Sequence, residues 1–166
     1  MPVNEISRQR RNAREVRLVA EFLATHFPND PSATYIRLGA VTSSLIVESL
    51  DESERKYLQN WTRFADGLVY RERELILIEG YVLPELGKPS QLLTYMRIFW
   101  QTPGMERHRG KTLRGIIVGP IVDPVLVSVA RDFGLEFRLF RPPWIVEYLW
   151  QVAPRHALRE FQEDQG

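Results

Sequence analysis

Apolar and polar positions alternate with two different periods along this chain, and the switches between them outline the elements. Over residues 5–27, Val16, Val19, Ala20, Leu23 and Phe27 recur at helical spacing, and Pro28 ends the run. TYIRLGAV (34–41) alternates as a strand does, and residues 51–61 open on acidic groups and then return to a helical period, as a short helix or an ordered loop. FADGLVYR (64–71) and ELILIEGYV (74–82) read as two strands joined by a turn at Glu72–Arg73; the second is short and aliphatic enough to be buried. Leu92, Leu93, Met96, Phe99 and Trp100 then mark a helix over roughly 89–101. A basic loop (106–111) leads to a buried strand (113–121), a helix (123–134) with Pro124 in its first turn and Gly134 at its end, and a last strand (135–140). Residues 141–152 place Trp144, Ile145, Tyr148 and Leu149 on one helical side, with Trp150 at its edge. That helix either packs back on the sheet or forms an oligomer interface. The order is α/β: a mixed sheet with a central hairpin, flanked by helices. One domain is expected over 1–153, with its core in 33–140, and a polar tail over 154–166.

The hairpin carries the chemistry. A turn centred on Glu72–Arg73 sets Asp66 directly opposite Glu79, and opposed side chains of an antiparallel pair lie roughly 4.5–5.5 Å apart at Cβ, where like charges repel. Two carboxylates so close call for a cation between them, and a divalent ion such as Mg²⁺ suits hard oxygen ligands. A register shifted by one residue would instead send the pair to opposite faces; alternatively, Asp66 begins a tight turn with Gly67, and Glu79 pairs with one of the many arginines. Downstream, Gln91 and Tyr95 stand four apart and are therefore neighbours on their helix.

An aspartate, a hairpin, a glutamate and then a helix carrying Gln-x-x-x-Tyr resembles the PD-(D/E)XK, or restriction-endonuclease-like, nuclease superfamily, and within it the RecB-like branch. The matching residues are Asp66, Ile78-Glu79-Gly80-Tyr81 and Gln91 through Tyr95. The resemblance implies a restriction-endonuclease-like core, DNA as partner, and Mg²⁺ or Mn²⁺ held by Asp66, Glu79 and the backbone carbonyl of Gly80. It also implies that Gln91 and Tyr95 orient the DNA strand or the site carboxylates, and that the first helix adds a third acid. Of Glu15 and Glu21, Glu21 lies nearer the expected apolar stripe and is the choice. The chain departs from the pattern at one place: the superfamily's lysine, two residues after the glutamate, is here Tyr81. A phenol offers a hydrogen bond but no positive charge. Either Lys88, in the loop before the Gln helix, reaches back to fill the role, as in superfamily members whose lysine has moved to that helix, or Lys88 is a solvated loop charge. The departure leaves two functions open: a metal-dependent DNA phosphodiesterase, or a catalytically inactive member of the fold. The latter resembles structural proteins of tailed bacteriophages at head completion or the head–tail junction, DNA-proximal and oligomeric with other virion proteins.

Composition narrows the field from outside. The 166 residues carry a formal net charge of only +1, so phosphate binding must come from local clusters. Two clusters qualify: Arg10, Arg14 and Arg17 on the first helix, and Arg107, Arg109 and Lys111 in the basic loop. Each is either a nucleic-acid contact or a solvated charged face. The absence of cysteine excludes disulfides, thiolate nucleophiles and thiolate zinc sites and suits a reducing compartment, the cytoplasm, or a virion if the phage resemblance holds. No apolar stretch approaches membrane-spanning length, and no secretory h-region is present, so no membrane partner is expected. His26, His108 and His156 lack nearby ligand partners and are not read as metal ligands.

Overall fold

The computed structural model describes the backbone of residues 3–39 and 63–152, with side chains from residue 13 onward. The expected elements at 51–61 and the tail after 153, together with His156 and the side chain of Arg10, lie outside the described residues. Helix α1 (Val3–His26) precedes strands β1 (Ser32–Leu38), β2 (Arg63–Tyr70) and β3 (Glu74–Gly80). Helix α2 (Lys88–Phe99), a 3-10 turn (Glu106–His108), β4 (Thr112–Gly119), α3 (Pro124–Asp132), β5 (Glu136–Leu139) and α4 (Pro143–Val152) follow.

The five strands form one mixed sheet in sequence order. β1, β2 and β3 run antiparallel, while β4 and β5 pair in parallel with β3 and with each other. This is the α/β architecture read from the sequence, with the hairpin β2–β3 at its centre. β3 is buried along nearly its whole length because helices cover both faces, which is why its sequence reads as an unbroken aliphatic run. Leu18, Val19, Phe22 and Leu23 of α1 pack on Val69, Ile76, Ile78, Ile116 and Val118 on one face. Leu92, Tyr95 and Phe99 of α2 pack on Leu68, Leu75, Leu77 and Ile117 on the other, beside Leu126 and Ala130 of α3. At α3, Asp123 caps the N-terminus, its carboxylate accepting from the backbone N–H groups of Val125 at 2.9 Å and Leu126 at 3.0 Å.

The buried stripe of α1 differs from the one expected. Leu18 and Phe22 are buried, whereas Val16, Ala20 and Phe27 are only partly so. Rotating the stripe brings Glu15 to a buried position in line with Leu18, Val19 and Phe22. α1 lies close over the hairpin because Gly80 has no side chain: a Cβ there would meet Val19 at 2.8 Å.

Candidate functional site

The hairpin register is the expected one. Gly67 pairs with Ile78 and Leu68 with Leu77, which carries Asp66 level with Glu79. The backbone N–H of Asp66 donates to Glu79 Oε1 at 3.3 Å, and the N–H of Gly80 donates to Asp66 Oδ2 at 2.8 Å. Each carboxylate is therefore held by the backbone of the opposite strand, and the two meet at the end of β3. Both are buried.

Three residues of α2 close the site. Lys88, its first residue, is 4 % exposed and points its ammonium between two acids, 3.5 Å from Glu79 Oε2 and 3.4 Å from Glu15 Oε2. One turn on, Gln91 Nε2 donates to Glu79 Oε2 at 3.1 Å and lies 2.9 Å from the Tyr95 hydroxyl. Glu79 thus accepts from Asp66, Lys88 and Gln91 together. Lys88 is not a solvated loop charge.

Electrostatics follow from this crowding. Burial and then the Asp66 charge push the Glu79 carboxyl well above its ordinary range, with Lys88 opposing. Burial likewise raises Asp66, against Lys88 and the Gly80 N–H. Burial alone would lower the Lys88 ammonium, but Glu79, Glu15, Asp66 and Glu85 outweigh it and raise it. Burial and the Glu79 charge raise the Tyr95 phenol. Three carboxylates around one ammonium leave an excess of negative charge in a dry place, all of it on hard oxygen. That donor set fits a divalent cation. Among the described residues, no three Asp, Glu or His side chains cage an ion by themselves, and Lys88 stands between Glu15 and Glu79.

Several sequence expectations change here. The acid that α1 brings to Lys88 is Glu15, whereas Glu21, the residue expected there, lies elsewhere. Glu21 ion-pairs with Arg17 at 2.9 Å and accepts from Trp144 Nε1 at 2.9 Å, on the side of α1 that meets α4. The signal for Glu15 was its helical spacing to Leu18, Val19 and Phe22, a charge standing in an apolar stripe. Tyr81 shares its sheet side with Glu79 but is spent on the core: it is fully buried, its hydroxyl donates to the carbonyl of Ile121, and its ring stacks on Phe137 at 6.2 Å. The ring lies directly over Gly119, where a Cβ would come within 2.2 Å of it.

The basic clusters also separate. The Arg14 guanidinium sits 4.2 Å over the Tyr148 ring and that of Arg17 4.2 Å over Trp144, so both tie α4 to α1. With Ile145 and Leu149 buried against Val82 and Ile121, α4 packs back on the molecule, while Trp150 stays exposed. Arg109 and Lys111 join Arg97, Trp100 and Phe133 along an open groove of about 820 Å³, lined also by Leu93, Met96 and Thr94 of α2, on the side of that helix away from Gln91 and Tyr95. Lys111 also donates to the carbonyl of Arg71 at 2.7 Å, and Arg107 to His108 at 3.2 Å. No helix among the described residues is long and apolar enough to cross a membrane.

No family model matches the chain, and no curated protein does. Among solved structures, it is similar to a repair endonuclease from Pyrococcus abyssi, at 16 % identity and a TM-score of 0.48 over 76 % of this chain and 47 % of that one. It is also similar to EndoMS in a complex with double-stranded DNA, at 19 % identity and a TM-score of 0.47 over 78 % of this chain and 45 % of that one. EndoMS in its apo form follows at 20 % identity and a TM-score of 0.44, over 75 % and 45 %. The chain spans about half the length of the solved structures it matches.

Proposed function

We propose that this protein is a metal-dependent DNA phosphodiesterase of the PD-(D/E)XK, restriction-endonuclease-like type whose lysine has moved from position 81 to Lys88. The observation that carries the reading is the buried ammonium of Lys88, delivered by the first turn of α2 to within 3.5 Å of Glu79. A lysine costs several kcal/mol to desolvate, and a solvated loop charge has no reason to be there. Asp66, Glu79 and the Gly80 carbonyl would hold Mg²⁺ or Mn²⁺, which when bound supplies an acidified water and offsets charge on the phosphate. Lys88 holds the attacking water by a hydrogen bond and balances the negative charge that grows in the transition state. Gln91 fixes the Glu79 carboxylate through its 3.1 Å contact, and Tyr95 fixes Gln91. Glu15 holds Lys88 from the far side.

The alternative, an inactive structural member of the fold in a phage virion, rests on the missing lysine at position 81 and on the resemblance to small phage proteins; the buried Lys88 beside Glu79 supports the enzyme reading over it. The test is cleavage of duplex and single-stranded DNA with Mg²⁺ and Mn²⁺ by the wild type and by Lys88→Met. Wild type cleaves, and Lys88→Met lowers the rate about tenfold or more, as losing one charge-stabilising group does. Cleavage indifferent to Lys88→Met rejects the relocated lysine. An inert wild type returns the protein to the inactive class.

A further inference from the structure

We propose that Tyr35 and Phe64 form a stacking platform for an unpaired nucleobase of the DNA strand whose phosphate lies at Asp66 and Glu79; this rests on the nuclease reading above. Tyr35 is the one non-glycine residue with positive φ (55°) among those described. Left-handed backbone is unfavourable for a large L side chain, and such strain persists where the surrounding structure enforces it, often at functional sites. The β1–β2 ladder shows where it falls. Thr34 pairs with Gly67 and Ile36 with Ala65, so Tyr35 stands opposite Asp66, and neither of the two takes part in the pairing. On one side of this break Ala65 packs with the cluster beneath α2; on the other Gly67 meets Val19 and Leu23 of α1.

The break turns two rings to solvent. Tyr35 and Phe64 stack at 4.3 Å between centroids and 8° between planes, yet remain 54 % and 36 % exposed. The large aromatics of the core, Phe22, Phe99 and Tyr81, are by contrast fully buried. A flat pair of rings held in water has apolar faces on offer to a third planar group. Phe64 precedes Asp66 by two strand residues, about 7 Å along β2, and the hairpin register carries it just beyond the end of β3, past Glu79. A strand leaving the carboxylates in that direction passes the rings. Arg37 pairs opposite Phe64 and Arg63 adjoins it, adding cations suited to the neighbouring phosphates. Aromatic planes beside cations are how single strands are held without reading sequence.

The test uses the Glu79→Gln protein, which removes a repelling charge and prevents cleavage, with a short single-stranded oligonucleotide carrying one 2-aminopurine moved along its length. A matched set replaces that base with an abasic residue. Tyr35→Gly is the variant, because glycine accepts the positive φ: it should melt no lower than its parent. The parent should quench 2-aminopurine at one position and bind the intact oligonucleotide about tenfold more tightly than the oligonucleotide abasic there, the size of one base–aromatic stack. Tyr35→Gly should lose both the quenching and that preference while binding the abasic oligonucleotide as the parent does. Phe64→Ala should behave the same way. A variant that keeps the preference, or one that loses affinity equally for both oligonucleotides, overturns the platform and leaves the nuclease reading standing. A parent that binds no oligonucleotide, or binds the intact and abasic ones alike at every position, also overturns the platform; the nuclease reading stands or falls by the cleavage assay on duplex and single-stranded DNA.

Discussion

At the scale of single residues, the chemistry is set by who is buried beside whom. Glu79 keeps its proton to a higher pH in the folded protein than in the unfolded chain, since burial and Asp66 disfavour its charge. Between the ordinary glutamate value of about 4.5 and the raised folded value, the native state therefore holds more protons than the unfolded one, and stability falls as pH rises through that window. Lys88 is raised as well, but from the ordinary lysine value of 10.5, so its contribution is fully present below that value and fades only in alkali. In a chelator, Glu79→Gln should match the wild type in melting temperature near pH 4.5 and gain on it steadily toward neutrality; a constant gap across pH would show that Glu79 is not strained by its charge. Tyr81 gives the complementary case. Its ring fills the space over Gly119, and its hydroxyl serves Ile121. Placing a lysine at this position with Tyr81→Lys would bury an ammonium against Phe137 with Lys88 already in place, so the variant should lose roughly 3–5 kcal/mol of stability, as a large aromatic truncation does, and, on the proposed reading, gain no cleavage. Chemical denaturation beside a nuclease assay reads both.

At the scale of elements, legibility followed period and turn chemistry. The hairpin register could be read because Glu72–Arg73 lies between two strands whose side chains alternate, and β3 could be read because a strand covered on both faces is aliphatic throughout. α3 was marked at both ends by Pro124 and Gly134. The rotation of α1 was not legible: Val16, Ala20 and Phe27 compete with Leu18 and Phe22 for one stripe, and only the close approach over Gly80 decides between them. That one rotation is why Glu15 rather than Glu21 meets Lys88. The same ambiguity hid the use of the α1 arginines, because a guanidinium over an aromatic ring looks in sequence like a guanidinium in water. Arg14→Ala with Arg17→Ala should lower the melting temperature by releasing α4, each cation–π contact being worth about 0.5–1 kcal/mol. The slope of DNA affinity against salt should stay unchanged. Were these arginines on phosphate, losing both would reduce that slope by about 2.

At the scale of the whole molecule, the site is a joint between layers. α1 lies on one face of the sheet and α2 on the other, yet Glu15 and Lys88 meet at the end of β3, where Gly80 lets α1 come close and the first turn of α2 arrives from below. Asp66 and Glu79 belong to the strands between them. Anything that relieves the charge at this joint therefore stabilises contacts in all three layers at once, and ion binding becomes folding free energy. A cation that binds only the native state at a hundred times its dissociation constant adds about 2.7 kcal/mol, and for a chain of this size that raises the melting temperature by roughly 5–10 °C. Asp66→Asn should remove most of this response while leaving the ion-free protein as stable as the wild type or more so, because it takes one charge from a crowded pair. Differential scanning calorimetry with millimolar Mg²⁺ or Mn²⁺, against the same protein in chelator, makes the comparison. Equal shifts in wild type and Asp66→Asn would mean that the ion sits elsewhere. No shift in either would leave Lys88 as the site's own permanent cation, a balance in which the carboxylates serve the fold and hold no metal.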